Sequence, residues 1–400
     1  MSPATSVTPS TPPARATLGA LVRYFLYLGT LGFGGPVALV GFMHRDLVER
    51  RRWIHEDEYR LGVALAQIMP GPLAAQLAIA LGYFQRGVLG ATAVGLAFVV
   101  PSFLMVIALS IAYRRFGGLW WMQALFYGIG AAVIAIIAIA AYKLARSTNK
   151  RDPLLWAIFG TLALLTMLAE AELAEFFVVA GLVTLFARAR PTRAQALAAG
   201  LGGAGVVALV WLIERWFVNL EVGGHHVLQT LAFFTKAGAF VFGSGLAIVP
   251  FLHQGVVQQF GWLSEQQFID AVAVAMITPG PVVITVVFIG FLAAGFLGAV
   301  AAAIGIFLPV YLFTIIPAPW FSRNRDNALL KAFVLGATSA ATGAIAGAVI
   351  LLARRAIYDV PTAAVALISL GILWRFKIPE PILVAAAGIV GLIAFPHFKS

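Results

Sequence analysis

The stretch FLYLGTLGFGGPVALVGFMHRDLVERRRWIHEDEYRLGVALAQIMPGP, residues 25–72, returns later in the chain as FTKAGAFVFGSGLAIVPFLHQGVVQQFGWLSEQQFIDAVAVAMITPGP, residues 234–281. Laid on each other at an offset of 209, the 48 positions hold 18 identities, among them Gly29/Gly238, His44/His253, Trp53/Trp262, Glu56/Glu265 and Pro70-Gly71-Pro72/Pro279-Gly280-Pro281. Beyond the tripeptide the match resumes at an offset of 208, pairing Gly82 with Gly290, Gly87 with Gly295, Gly90 with Gly298 and Pro101 with Pro309. This is a duplicated unit. Helix breakers inside duplicated apolar segments point to the site of a transporter.

The rest of the sequence fits a membrane setting. Of its 400 residues 61% are hydrophobic and 11% charged, with a mean hydropathy of +0.95, well outside soluble usage. The apolar runs are contiguous rather than alternating, which excludes a β-barrel and predicts an all-α polytopic protein. The net charge of +11 sits in short Lys/Arg blocks between apolar runs, the pattern of cytoplasmic loops rather than of a nucleic-acid surface. With no cysteine, disulfides and thiolate chemistry are excluded. Residues 1–17, rich in Ser, Thr, Pro and Ala, read as a disordered tail without the order of a signal peptide. Two halves follow, 18–217 and 218–400.

Charge orients the spans. Apolar segments are expected near 88–112, 119–142, 153–169, 174–187 and 194–217, then near 296–316, 329–353, 361–374 and 381–395. The basic connections Lys143 to Arg151, Arg188 to Arg193, Arg323 to Lys331 and Arg375 to Lys377 fall inside, and the acidic Glu170 to Glu175 outside. Arg114-Arg115 and Arg354-Arg355 fall on the disfavoured, outer side. The loop from His44 to Arg60 holds five arginines, whereas its counterpart from His253 to Ile269 holds no Lys or Arg. The two loops therefore face opposite sides, which makes the halves inverted-topology repeats. If the broken segments re-enter rather than span, the N-terminus is cytoplasmic.

The breaks are Gly34-Gly35-Pro36 and Gly243-Ser244-Gly245 in the first segment of each copy, and the two Pro-Gly-Pro tripeptides in the second. Proline removes an amide donor and glycine permits the bend, so a regular helix passes through neither. Half-helix N-termini that meet there offer unpaired amides and the positive dipole end to an anion. Gly34, Gly35, Gly71, Gly243, Ser244, Gly245 and Gly280 are the candidates for backbone contact, with Pro36, Pro70, Pro72, Pro279 and Pro281 shaping the bends. Ser244, Thr278, Thr285, Gln67 and Gln76 are candidate side-chain donors. The bland alternative is that the glycines serve close helix packing. Lys236, inside an apolar run, either lines the anion path or snorkels to the interface. His44 and His253 either carry protons or gate, or else cap a helix and hold a loop. Trp53/Trp262 and Glu56/Glu265 read as interface anchors and helix starts. Asp270, Glu214 and Glu380 read as near-end carboxylates, so a cation pump built on a midplane acid is disfavoured. Neither a catalytic constellation, a metal-ligand set nor a phosphate loop is present in the sequence, and neither enzymatic activity nor a cofactor is expected.

Phe33-Gly34-Gly35-Pro36, the basic loop leading to Trp53, Pro70-Gly71-Pro72 and their weaker second copy resemble the chromate ion transporter family, in its long two-domain form. The resemblance covers nearly all of the sequence after the tail. It implies a secondary carrier of the bacterial or archaeal inner membrane that expels chromate, a sulfate-like oxyanion, and confers chromate resistance. Expelling a dianion from a negative interior gains roughly 4–5 kcal/mol per 100 mV and needs no ATP; proton antiport is a further option. A sulfate or other oxyanion importer and a carrier of lipid phosphates are the competing readings. Oligomeric state is left open.

Overall fold

The structure, a computed structural model, describes residues 16–33, 35–117, 119–169, 175–189, 191–218, 226–240, 248–324, 327–376 and 378–398. Among these residues the regular structure is entirely helical. Most of the expected disordered tail lies outside them, but its last two residues do not behave as a tail. Ala16 is buried, and the Thr17 hydroxyl accepts from the Ala20 amide to cap the first helix.

Each half begins with the same device. In the first, α1 (Leu18–Leu31) ends at Gly32, and α2 (Gly35–Met43) runs into a π-helical turn over His44–Arg50. In the second, α9 (His226–Phe240) is followed by the short α10 (Val249–His253) and a π-helical turn over Gln254–Gln259. The turns match bond for bond at the offset of 209. Trp53 N–H donates to Leu47 and Trp262 N–H to Val256, both at 2.8 Å. Arg51 N–H donates to Asp46 and Phe260 N–H to Gly255.

A helical hairpin follows in each half. α3 (Glu56–Ile68) starts on three carboxylates, Glu56, Asp57 and Glu58, which suit the positive end of its dipole. Its counterpart α11 (Glu265–Ile277) starts instead on a capping box between Ser264 and Gln267. Both end at Pro-Gly-Pro. The backbone then doubles back as α4 (Leu73–Phe116), or as a short 3₁₀ turn leading into α12 (Thr285–Ile315). At Gly62 an added Cβ would press on Leu77 and Leu81, so α3 lies against the first arm of α4.

Neither α4 nor α12 is one rod. Arg86 (φ −144°) and Gly87 (φ 61°) leave the helical region in α4, as Ala294 (φ −142°) and Gly295 (φ 67°) do in α12. Only glycine takes the second of these positions without strain. The turn is sharp enough to bring Gly82 onto the backbone of Gly90, and Gly290 onto that of Gly298. A Cβ at any of the four would collide with a carbonyl. Residues 56–68 and 73–85 each rise about 20 Å, short of the ~30 Å of hydrocarbon.

The remaining elements are α5 (Trp120–Asn149), α6 (Pro153–Ala169), α7 (Glu175–Ala189), α8 (Arg193–Val218), α13 (Ala318–Asn324), α14 (Ala328–Ala356), α15 (Val360–Arg375) and α16 (Glu380–Phe398). All of these except the short α13, together with the second arms of α4 and α12, fall within a few residues of the nine apolar segments expected from hydropathy. α1 packs on α4 and α9 on α12 through equivalent glycines, Gly29 against the Phe98 carbonyl and Gly238 against that of Ile306. α4 and α12 meet at the centre, and α5, the most buried of the long helices, holds α11, α14, α15 and α16 around it. Large apolar side chains such as Leu96, Leu104, Leu297 and Ile304 stay more than half exposed, a surface that suits lipid and not water.

Candidate functional site

The second Pro-Gly-Pro reaches across the molecule to the first break. Gly280 N–H donates to the Gly32 carbonyl at 3.1 Å, so the hairpin tip of one half caps the α1 end of the other. The Ser102 hydroxyl, fully buried on α4, donates to the Pro279 carbonyl at 2.7 Å and lies 3.3 Å from that of Gly29. Gly280 has φ +99°, and a Cβ there would strike the Ser102 hydroxyl. Conformation and space both demand glycine at this point.

The first tripeptide is tied differently. The Pro70 carbonyl, equivalent to that of Pro279, accepts from Gln76 Nε2 at 2.7 Å. Gly71 has φ +146°, and a Cβ on it would meet the Gln76 side chain. Gln76 is fully buried, and its Oε1 has no hydrogen-bond partner among the described residues. Equivalent carbonyls are thus held by a residue of the same half in one copy and by a residue of the opposite half in the other.

A helix or helical turn starts at each of these bends. α4 begins after Pro72, α2 begins at Gly35-Pro36, and the 3₁₀ turn that leads into α12 begins after Pro281. Their first-turn amides are the groups that a dipole argument offers to an anion. Gly34 and the cluster Gly243, Ser244 and Gly245 lie outside the described residues. Of the candidate side chains, Thr278 and Thr285 are buried and bond to the carbonyls of Val274 and Val282, while Gln67 is exposed. Lys236 sits half-buried with Nζ 5.3 Å from the Phe251 ring centre.

His44 and His253 each take up the glutamate that starts the next helix. Nε2 lies 2.8 Å from Glu56 in the first copy and 2.7 Å from Glu265 in the second. Each ring also meets an aromatic edge, Tyr59 or Phe268, again 209 apart. The bonds of His44 and Arg60 hold the Glu56 carboxylate below its usual range. These pairs staple the π-helical exit to the hairpin.

Asp270 departs from the sequence reading. Expected near a helix end, it is 3% exposed, with Tyr113 donating to Oδ2 at 2.6 Å and Gln266 donating to Oδ1 at 2.8 Å. The end of α4 covers it, which nothing local in the sequence announces. Ser102 likewise escapes a reading of the sequence; its one signal is a hydroxyl next to Pro101 inside an apolar run.

The model of the chromate transporter family matches residues 19–204 and 228–392, one segment per copy of the repeat. The protein is 55% identical over 388 residues to the chromate transport protein of Cupriavidus metallidurans, covering 95% of its own length and 94% of that relative. It is 54% identical to a probable chromate transport protein of Synechococcus elongatus, covering 94% and 95%. A chromate transport protein of Pseudomonas aeruginosa is 32% identical, over 99% and 97%. No solved structure matches it. Duplicated broken helices, an all-helical lipid-facing body and this similarity over nearly the whole length have one reading: the protein is a multi-pass membrane transport protein and belongs to the chromate transporter family.

Proposed function

We propose that this protein exports chromate across the inner membrane, with the anion passing the helix breaks where the hairpin tip of the second half meets the first. The observation that carries the reading is the Gly280–Gly32 bond, because it brings two breaks from opposite halves to one place. Backbone amides at helix starts recognise an oxyanion without fixed charge, and so release it as well as bind it. The relatives' names supply chromate as the substrate. Potential supplies the direction, since a dianion leaves a negative interior downhill. Gly34, Gly35, Pro36, Gly71, Gly280 and Lys236 belong to the path, with Gly243, Ser244 and Gly245 as the second-half counterpart of the first break.

The halves, 18–217 and 218–400, are read as inverted repeats whose hairpins re-enter, with the N-terminus cytoplasmic. Arms of about 20 Å favour re-entry over spanning. The contacts agree with the charge-based sides. Arg86 bonds to the Ala16 carbonyl and Arg188 pairs with Asp152, joining ends assigned to the cytoplasm. Tyr127 bonds to Asp359 at 2.6 Å, joining ends assigned to the outside.

The test is chromate uptake into everted membrane vesicles with the potential clamped and sulfate present or absent. Uptake that follows the potential, and falls at least tenfold in Gly280→Leu and Lys236→Met proteins of normal abundance, is expected. Full competition by sulfate would move the substrate to oxyanions in general. Absence of chromate flux in folded protein would overturn the reading.

A further inference from the structure

The two halves differ in character at one pair of packed positions. Position 61, the counterpart of Asp270 at the offset of 209, is Leu61; position 321, the counterpart of Tyr113 at the offset of 208, is Phe321. Leu61 and Phe321 belong to one apolar cluster, in which Phe321 is fully buried. The same fold position is therefore filled by hydrocarbon in one half, and by a carboxylate and a phenol in the other. Packing alone does not require the polar pair.

The pair lies on a cavity of about 220 Å³, room for several waters. The ends of α4, α5 and α16 and the segment before α11 wall it, with Gln123, Tyr127, Ser264 and Tyr358 adding polar groups. Phe126 and Phe288 set their rings edge-on to Tyr113 at 5.5 and 5.0 Å, fixing the phenol over the carboxylate. Asp270 accepts from Tyr113 and Gln266, and neither donor carries a charge.

The charged groups on the neighbouring elements are turned away or already engaged. Arg114 and Arg115, just past Tyr113, are exposed, as is Arg354 on α14. Asp359 is bonded to Tyr127, and Glu265, at the start of α11, to His253. α12 and residues 254–259 carry no acidic or basic side chain. Lys143 and Arg146 on α5, Lys331 on α14 and Glu380 on α16 sit at the other ends of their helices, while Arg355 and His397 lie outside the described side chains. Among the described side chains an ionised Asp270 thus has no counter-ion, and a bound proton removes that buried charge.

We propose that Asp270, with Tyr113 and Gln266, is a proton-binding site facing the extracellular end, where proton entry is coupled to anion export. The proton comes from cavity water and bonds to a carboxylate oxygen, taking the side chain from −1 to neutral. The Tyr113 hydroxyl can turn from donor to acceptor as this happens. The coupling rests on the export reading; the binding of the proton does not.

Two measurements separate them. Infrared difference titration of the full-length protein in proteoliposomes, without chromate, should show the carbonyl stretch of a buried carboxylic acid on acidification. The band should vanish in Asp270→Asn. A band of unchanged size in Asp270→Asn overturns the site whatever the protein carries. In everted vesicles at clamped potential, an acidic interior should raise wild-type chromate uptake severalfold. Asp270→Asn should lose that stimulation while keeping potential-driven uptake. The double variant Asp270→Leu, Tyr113→Phe, which copies the apolar pair of the other half, guards against misfolding and should behave likewise. Stimulation of wild-type size in folded Asp270→Asn overturns the coupling. A protein that shows the band but moves no chromate defeats export and keeps the proton site.

Discussion

Ser102 ties a carbonyl 177 positions away in the sequence, and that separation is why sequence reading passes it over. Replacing it with alanine leaves the buried Pro279 carbonyl without its donor, an expected loss of about 1–3 kcal/mol. The thermal midpoint in detergent should fall, with chromate uptake falling alongside it. Gly280→Ala meets both the Ser102 hydroxyl and an unfavourable φ, so it should lose more than Ser102→Ala, about 1–3 kcal/mol from strain alone. Near the exposed loops, Glu56 gives a pH effect of definite sign. Its carboxylate is held below its usual value of 4.5 by His44 and Arg60. The staple is therefore fully present above that value and is lost as pH falls through the lower folded one. Acid unfolding of the wild type should be steeper in that acidic range than that of Glu56→Gln, a difference read by tryptophan fluorescence during acid titration. The tripeptides were legible because they break two independent helix rules at once. The depth of Asp270 was not, because a carboxylate five residues into a helix reads as interfacial until α4 and α5 are seen to cover it.

The positions of the apolar helices were legible for the same physical reason that makes the elements form. A run of about 20 apolar residues between basic or acidic connections leaves few alternatives, and α5, α6, α14, α15 and α16 appear where expected. What hydropathy could not reveal is the reversal inside α4 and α12, since Arg86-Gly87 and Ala294-Gly295 interrupt the backbone without interrupting the apolar run. Glycine there reads equally as a packing residue. The reversal predicts equal sensitivity in the two halves. Gly82→Val and Gly290→Val each drive a branched side chain into a facing carbonyl, so both proteins should fail to accumulate in the membrane. Gly87→Ala, with open space around its Cβ, should accumulate and lose only the backbone strain of its conformation, about 1–3 kcal/mol. Immunoblots of membrane fractions and thermal midpoints distinguish the two classes.

For the whole molecule the decisive prediction concerns sides. The protein has no cysteine, so each one introduced is unique. Asp57→Cys should react with an impermeant maleimide only from the cytoplasmic face and Gln259→Cys only from the outer face, both positions being exposed. Labelling of both from one side would end the inverted-repeat reading while leaving the family assignment intact. The Gly280–Gly32 link has a consequence of another kind, for heredity. It runs from a backbone amide to a backbone carbonyl, so among the ordinary amino acids only proline at position 280 deletes the donor outright. Drift in the surrounding side chains can reshape the passage for a new anion while the clasp between the halves passes unchanged from one generation to the next.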